Sequence, residues 1–453
     1  SVEISNGQLN IINYMQIASE KTQHSLTREQ KQAVGLLSIG TFLEYFDLML
    51  FVHMAVVINE VFFPKSDPLT ESLYAALSFC SLYLLRPFAA IFFGYIGDRI
   101  GRKATVVITT FMMSVSCIVI ANLPSYDEIG AISMYIMIIC RLVQGFSSLG
   151  EITGAELYIT EMTKPPVQYV AVGIVSVCTL TGGLSALAFA WFCTAFSLNW
   201  RIAFWIGAIV ALIGATARIR LRETTDFADA KRKLHNALTS VNKDVSVLRL
   251  NSVYNAKVSF KTSLAYLSIL SMWPALFFLI YIHIGSILKS KFGYSAAEVI
   301  ENNFYAASFN WVIVVSLIFL TLIVHPLKIL MVRGVIFLIC LPMCIYLLSN
   351  VGTADELFLI QLVFIATSVC LDPAASVLYK HFPIFKRFTY TSLLHALSKI
   401  LVYVTTSFGL IYLSTTLSYY GILLIMIPLG LFFLISVRYF QKLEQEENLL
   451  SII

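Results

Sequence analysis

From Ala33 onward the chain alternates long apolar runs with short polar breaks. Twelve runs recur, at about 33–62, 70–96, 104–122, 129–159, 168–195 and 200–221, and then at 263–288, 300–324, 330–349, 356–378, 388–414 and 418–437. A helix needs about 20 apolar residues to cross the hydrocarbon core of a bilayer, and each run is of that order. Within lipid, backbone polar groups must be satisfied internally, so runs of this length predict helices. We number them spans 1 to 12. The polar stretch 222–262, with Lys231-Arg232-Lys233, separates six runs from six. The pattern predicts an all-α membrane protein. It comprises an N-terminal extension (1–32), a six-helix bundle (33–221), a linker (222–262), a second six-helix bundle (263–437) and a short tail (438–453). Six spans, a linker and six spans suggest a duplicated architecture.

The sharpest break follows span 2, where L-L-R-P-F-A-A-I-F-F-G-Y-I-G-D-R-I-G-R-K fills positions 84–103. Gly94, Gly97 and Gly101 predict a tight, close-packed turn that side chains would obstruct. Asp98 is expected near the positive N-terminus of the following helix, with Arg99, Arg102 and Lys103 in an aqueous, anionic surface layer. Composition fits the membrane reading: 58% of the 453 residues are hydrophobic and 13% charged, against about 25% charged in soluble domains. The net charge of +5 is then a matter of topology, not of nucleic-acid binding. With both termini and the linker placed in the cytoplasm, 24 of the 31 Lys and Arg residues fall on the cytoplasmic side. Four (Lys65, Arg201, Lys289, Lys291) fall outside, and Arg86, Arg141 and Lys399 lie within spans. That asymmetry satisfies the positive-inside rule and puts the 94–103 turn on the cytoplasmic face. All eight cysteines lie in apolar runs and read as packing residues, without disulfide or zinc spacing. The mostly polar first 32 residues predict no cleavable leader. Leu9, Ile12, Met15 and Ile17 suit either a surface helix or a mobile terminus.

Ionisable groups at membrane depth are costly and usually face a cavity or a partner. In span 1, Glu44 and Asp47 are spaced i, i+3 on one helical face, roughly 16–21 Å from Ala33 at 1.5 Å per residue. In span 4, Arg141, Gln144, Ser148 and Glu151 recur at i, i+3, i+7 and i+10, one stripe, with Arg141 near mid-depth. Complementary charges at similar depth fit two arrangements: a cavity that holds substrate and a titratable carboxylate, or a buried ion-pair network that fixes helix packing. Further candidates are Arg86 beside Pro87, the aromatic residues Trp273, Tyr281 and Trp311 as a cation-π box, and Lys399 and Asp372 deep in the second half. His53, His283 and His395 suit proton relay or hydrogen-bonded packing.

G-Y-I-G-D-R-I-G-R-K at 94–103 resembles the loop signature of the major facilitator superfamily, and R-L-V-Q-G at 141–145 is similar to its span-4 motif. Within it, the stretches G-T-F-L-E-Y-F-D (40–47), V-F-F-P (61–64), L-L-R-P-F (84–88), R-L-V-Q-G-F-S-S-L-G-E (141–151), N-W-R-I-A-F (199–204), L-R-E-T-T-D-F (221–227) and H-F-P-I-F-K-R-F-T-Y-T (381–391) resemble the metabolite:proton symporter family. Its members include proline/betaine, dicarboxylate, citrate and shikimate transporters. The resemblance implies the major facilitator fold, with Glu44, Asp47, Arg141, Gln144 and Glu151 at polar cavity positions. It also implies a conformational gate loop at Gly94, Asp98, Arg99, Gly101 and Arg102, with Glu161 as its acidic partner. The second-half counterpart, H-P-L-K-I-L-M-V-R at 325–333, has Ile329 where the first half has Asp98. Lys380-His381 stand where the family usually places an acidic residue before F-P, and the usual glycine pair of span 11 is missing.

The expected function is proton-coupled import of a small polar metabolite (a carboxylate, polycarboxylate or zwitterion such as proline or betaine) by alternating access in the inner membrane. Glu44, Asp47 or Glu151 would carry the proton and Arg141 an anionic group, a guanidinium suiting a carboxylate bidentately. The alternatives are import of a carboxylate-type siderophore, proton-driven export, or a non-transporting sensor on a transporter fold. No metal motif, nucleotide loop or nucleophile elbow points to an enzyme, a metal or a cofactor. The expected partners are a small-molecule substrate, protons and the bilayer, with no nucleic acid and a monomer as the working unit.

Overall fold

The computed structural model describes residues 22–63, 85–196 and 256–450, with positions 199, 201, 202, 204–206, 208, 209 and 212 between them. The amphipathic candidate at Leu9–Ile17, the first part of span 2, most of span 6 and the linker up to 255 lie outside the described residues. Among the described residues there are helices, turns and one isolated bridge between Gln23 and Pro166, and no strand. Eight described helices are long and apolar enough to cross a membrane.

Span 1 is the helix Arg28–Phe62, beginning before Ala33, because Gln30 ties its first turn to the Met162 carbonyl at 2.6 Å. Span 2 is described from Arg86 to Arg99, with Pro87 in its first turn, where a missing N–H costs nothing. Span 3 is Arg102–Asn122, span 4 Ala131–Met162 and span 5 Val167–Phe196. In the second half, span 7 runs as one rod through Phe260–Phe277, a π-helical turn Phe278–His283 and Ile284–Phe292. Pro274 precedes that turn and supplies no N–H to the helix ladder, which accounts for the local widening. Spans 8 and 9 are Ala296–Leu320 and Pro326–Ser349, and spans 11 and 12 are Arg387–Leu417 and Leu423–Leu450. Ser295 with Glu298, and Thr353 with Glu356, close capping boxes at the starts of spans 8 and 10.

Span 10 is broken. Its helix Ala354–Thr367 stops at Ser368, a single 3₁₀ turn covers Asp372–Ala374, and Ala375–Lys380 resumes. Pro373 sits in the first turn of the resumed segment, where its missing N–H costs nothing, whereas an unbroken α-helix would lose there the bond to the Val369 carbonyl. Arg333 of span 9 donates to the Ser368 carbonyl left open by the break, from Nε at 2.9 Å and again from a terminal nitrogen. Irregular backbone at membrane depth is tolerated where it lines a cavity, and this break does.

The halves meet along spans 2 and 11 and along spans 5 and 8, with span 4 also against spans 10 and 11. One apolar core crosses that boundary and includes Phe93 and Tyr158 of the first half with Phe382 and Phe388 of the second. Ile132, Tyr135 and Ile139 in span 4 and Phe432 and Ile435 in span 12 are exposed, as lipid-facing positions are.

Candidate functional site

Between the halves lies a cavity of about 150 Å³. Its polar lining comes from six spans: Arg86 from span 2, Glu156 from span 4, Ser176 and Thr179 from span 5, Asn310 from span 8, Asp372 from the break in span 10, and His395, Ser398 and Lys399 from span 11. Tyr45, Trp273, Phe277 and Tyr403 add aromatic walls. Glu156 and Asp372 are the acids of the lining, Arg86 and Lys399 its bases. Asp372 and Lys399 both act electrostatically on Glu156, and Lys399 and Arg86 both act on His395. The ionisable lining therefore balances two acids against two bases, with His395 among them.

At one end the cavity continues into further space. Tyr45, Met49, Leu180, Trp273, Phe277 and Asn310 also line an adjoining space of about 120 Å³, which runs past Gly183, Leu187, Tyr281 and Asn303. Beyond it a wider cleft of about 600 Å³ lies between Trp191 and Phe192 of span 5 and Glu301 and Tyr305 of span 8. All of these residues lie toward the end opposite the 94–103 turn.

At the turn end the halves are sealed. Asp98 accepts from the backbone N–H groups of Phe388 (3.0 Å) and Thr389 (2.9 Å) and from the Thr389 hydroxyl (2.7 Å). These are open amides of the first turn of span 11, where an anion is favoured by both hydrogen bonding and the helix dipole. A Cβ at Gly94 would come within 2.5 Å of the Thr389 Cα, and one at Gly97 within 2.6 Å of the Phe388 ring. Beside them, Arg387 of span 11 pairs with Glu161 of span 4 at 3.2 Å, and its Nε donates to the Phe382 carbonyl at 3.1 Å. Deeper still, the Tyr379 hydroxyl of span 10 donates to the Glu156 carboxylate of span 4 in a short hydrogen bond.

Two helical bundles, a polar cavity between them and a glycine-dependent seal at one end invite comparison with known proteins. Residues 37–400 match the Major Facilitator Superfamily, most of the chain. The chain belongs to the Major Facilitator Superfamily.

Among curated relatives of this superfamily member, the proline/betaine transporter of Escherichia coli K12 is 33% identical over 211 residues, covering 45% of this chain and 42% of that protein. An inner membrane metabolite transport protein of the same organism, YhjE, is 32% identical over 226 residues, covering 47% of this chain and 51% of that one. The chain thus matches about half the length of these relatives. Among solved structures, the proton:xylose symporter XylE bound to a bromodeoxyglucose superposes with a TM-score of 0.72 at 14% identity, covering 91% of this chain and 95% of that one. The human organic anion transporter MFSD10 gives 0.65 at 14% identity, covering 92% and 100%. At such identities the structures establish the fold alone.

Several expectations shift within this major facilitator frame. Gly94 and Gly97 do not form the turn: they lie inside the span 2 helix, and their work is close approach to span 11. Gly101 alone takes the positive φ, at 142°, between the helices ending at Arg99 and starting at Arg102. Asp98 faces the N-terminus of span 11, not that of span 3, because the end of span 2 runs antiparallel against the start of span 11 and brings Thr389 against Gly94 one turn away. Arg99 stays at the surface, its guanidinium stacked on the Tyr95 ring at 4.4 Å and donating to the Tyr95 hydroxyl at 2.8 Å.

Arg141 is buried and donates to Gln144 at 2.7 Å; the Gln144 amide reaches Cys117 of span 3, and the Ser148 hydroxyl bonds the Gly145 carbonyl. None of the three lines the cavity. Gln144 is on the face of span 4 that meets span 3. Trp311 donates to Thr181 at 2.8 Å, joining spans 8 and 5 rather than lining the cavity. Arg86, Trp273 and Lys399 do line it, as do His395 and Asp372, and Tyr281 lines the adjoining space. His283 packs edge-on against Tyr419. Glu44, Asp47, His53 and Glu151 lie on the helices of spans 1 and 4, Arg102 at the start of span 3, and the side chains of all five lie outside the described residues. Glu156 is the residue the stripe in span 4 passes over: at 100° per residue it lies about 60° round the helix from Arg141. The signal was an ionisable residue in an apolar run, which at membrane depth is a functional position by default.

Proposed function

We propose that this chain imports a small, net-neutral polar metabolite together with a proton, by rocking its two bundles about the central cavity. The reading rests on one observation above all: a cavity between the halves, closed at the turn end, whose ionisable lining balances two bases, Arg86 and Lys399, against two acids, Glu156 and Asp372. A zwitterion matches that arrangement, its carboxylate toward Arg86 and Lys399 and its cationic group toward Asp372 and the faces of Trp273 and Tyr45. A polycarboxylate would bring uncompensated charge beside Glu156 and Asp372. The proline/betaine transporters among the relatives support the same substrate class. We place both termini in the cytoplasm of an inner membrane, from the distribution of Lys and Arg. The turn end is then cytoplasmic, and the arrangement described is the outward-facing one. In this reading the Arg141–Gln144 pair holds spans 3 and 4 in place and does not touch substrate. Glu44, Asp47 and Glu151 are retained as candidates for carrying the proton, with the cavity carboxylates.

Uptake into proteoliposomes tests the proposal. With an alkaline lumen and acidic exterior, labelled proline or glycine betaine should accumulate, and an uncoupler should abolish accumulation. Gradient-independent behaviour of zwitterions and organic acids alike would sink it. Lys399→Gln is expected to weaken apparent substrate affinity about 10- to 100-fold, because a hydrogen bond to a charged group contributes about 1.5–3 kcal/mol. Direct binding measurements on the purified variant check this, and unchanged affinity would move the anionic group away from span 11.

A further inference from the structure

The Glu161 carboxylate that crosses the halves is matched by a guanidinium. Glu156, one and a half turns deeper on the same helix, is not. Its side chain is buried, with 8% of the residue exposed, and among the described residues it forms no ion pair. Its hydrogen-bond partners are neutral hydroxyls: Tyr379 of span 10 and Ser176 of span 5, the latter at 3.4 Å. Tyr266 of span 7 packs behind Tyr379, with ring centroids 6.2 Å apart. The ionisable groups acting on Glu156 are Asp372 in the span 10 break and Lys399 in span 11, and His395 and Arg86 line the same cavity. Glu156 therefore both lines the cavity and holds the sealed end together.

Resting on the symport reading, we infer that Glu156 and Tyr379 form a proton-read latch between the halves. With Glu156 ionised, the Tyr379 hydroxyl donates to a carboxylate, and such a charge-assisted bond is roughly twice as strong as a neutral one. A proton arriving from the wide end of the cavity neutralises Glu156 and leaves a weaker, neutral contact. Because the partners are hydroxyls, neutralisation strands no buried cation, which the loss of charge at Glu161 would do beside Arg387. The seal at the turn end is thereby loosened only when the cavity has taken up a proton. After the halves rock, the proton leaves Glu156 toward the turn end and the carboxylate is restored. Tyr379 is a positioning residue here: it transfers nothing and reads the charge of its partner.

The test separates proton-driven uptake from substrate exchange, which needs rocking but no net proton movement. In proteoliposomes, Glu156→Gln should lose about tenfold or more of its gradient-driven uptake, the scale of one charge-assisted bond. Its counterflow exchange should persist at saturating substrate, with any change confined to apparent affinity because Glu156 also lines the cavity. Tyr379→Phe should keep both the exchange and a gradient response, with the pH midpoint of uptake displaced, since the carboxylate still titrates but is no longer held. If both variants fold and keep the parent's gradient dependence and pH midpoint, the latch is overturned while symport stands. If exchange and substrate binding vanish in both, Glu156 and Tyr379 belong to the binding surface and the latch is again overturned. If the parent protein itself shows no gradient-driven uptake, the symport reading fails first. Should Glu156→Gln not fold, the pH midpoint of Tyr379→Phe decides alone: an unshifted midpoint refutes the inference.

Discussion

Asp98→Asn should lower uptake by about two orders of magnitude while leaving substrate binding measurable. The Asp98 carboxylate is met by three donors from span 11, the amides of Phe388 and Thr389 and the Thr389 hydroxyl, at 2.7–3.0 Å. An asparagine keeps the size but offers one acceptor oxygen and turns an NH₂ group toward these donors. Hydrogen bonds to a charged acceptor contribute about 1.5–3 kcal/mol each, and the dipole at the start of span 11 adds about 0.3–1 kcal/mol. A net loss of about 3 kcal/mol moves the balance between sealed and open turn ends roughly 100-fold. Asp98 is remote from the cavity lining, so affinity for whichever state binds substrate is untouched, and only the population of that state changes. Paired uptake and binding assays on the same preparation check the division. Normal uptake would mean the seal does not depend on Asp98. Lost binding in a folded protein would mean the seal and the site are one.

How far the sequence carries this picture depends on the kind of signal. Helical spans are legible because the bilayer admits so few backbone solutions: an apolar run of sufficient length has essentially one fate. The major facilitator fold and the importance of 94–103 follow from local strings, and a local string survives without tertiary knowledge. What Asp98 touches does not. Its partners are 290 residues away, and nothing in the turn itself distinguishes the N-terminus of span 3 from that of span 11. The same limit explains the span-4 stripe. Arg141, Gln144 and Ser148 share a helical face, but periodicity identifies a face without saying whether a cavity or a neighbouring helix covers it. Span 3 meets it at Gln144, through Cys117. The span 10 break was nearer to hand. L-D-P at 371–373 inside an apolar run cannot continue an unbroken α-helix, since Pro373 has no N–H for the carbonyl four residues back, and interrupted spans mark binding sites in transporters. Its chemistry is a matter of backbone, which hydropathy alone does not register.

The largest stability effect is expected from Arg387→Ala. Arg387 bonds Glu161 across the halves at 3.2 Å, and the Glu161 side chain is fully buried. Removing one member of a buried pair typically costs about 3–5 kcal/mol, because the other charge stays desolvated without its counterion. The variant should show a marked fall in apparent melting temperature in detergent and should populate the state sealed at the turn end less. Glu161→Gln alone leaves a cation that is partly accessible and still donates to the Phe382 carbonyl, so its cost should be smaller. The double variant Arg387→Ala/Glu161→Gln should recover a good part of the loss, with a coupling of about 1–3 kcal/mol, the range for residues in direct contact. Simple additivity would show that the pair does not act as a unit. The contrast with Asp98 is the physical point. Asp98 is held by backbone amides that remain satisfied by water when the halves part, so its loss shifts populations. Glu161 is held by a side chain, and removing Arg387 takes a counterion from a buried carboxylate, which also costs the fold.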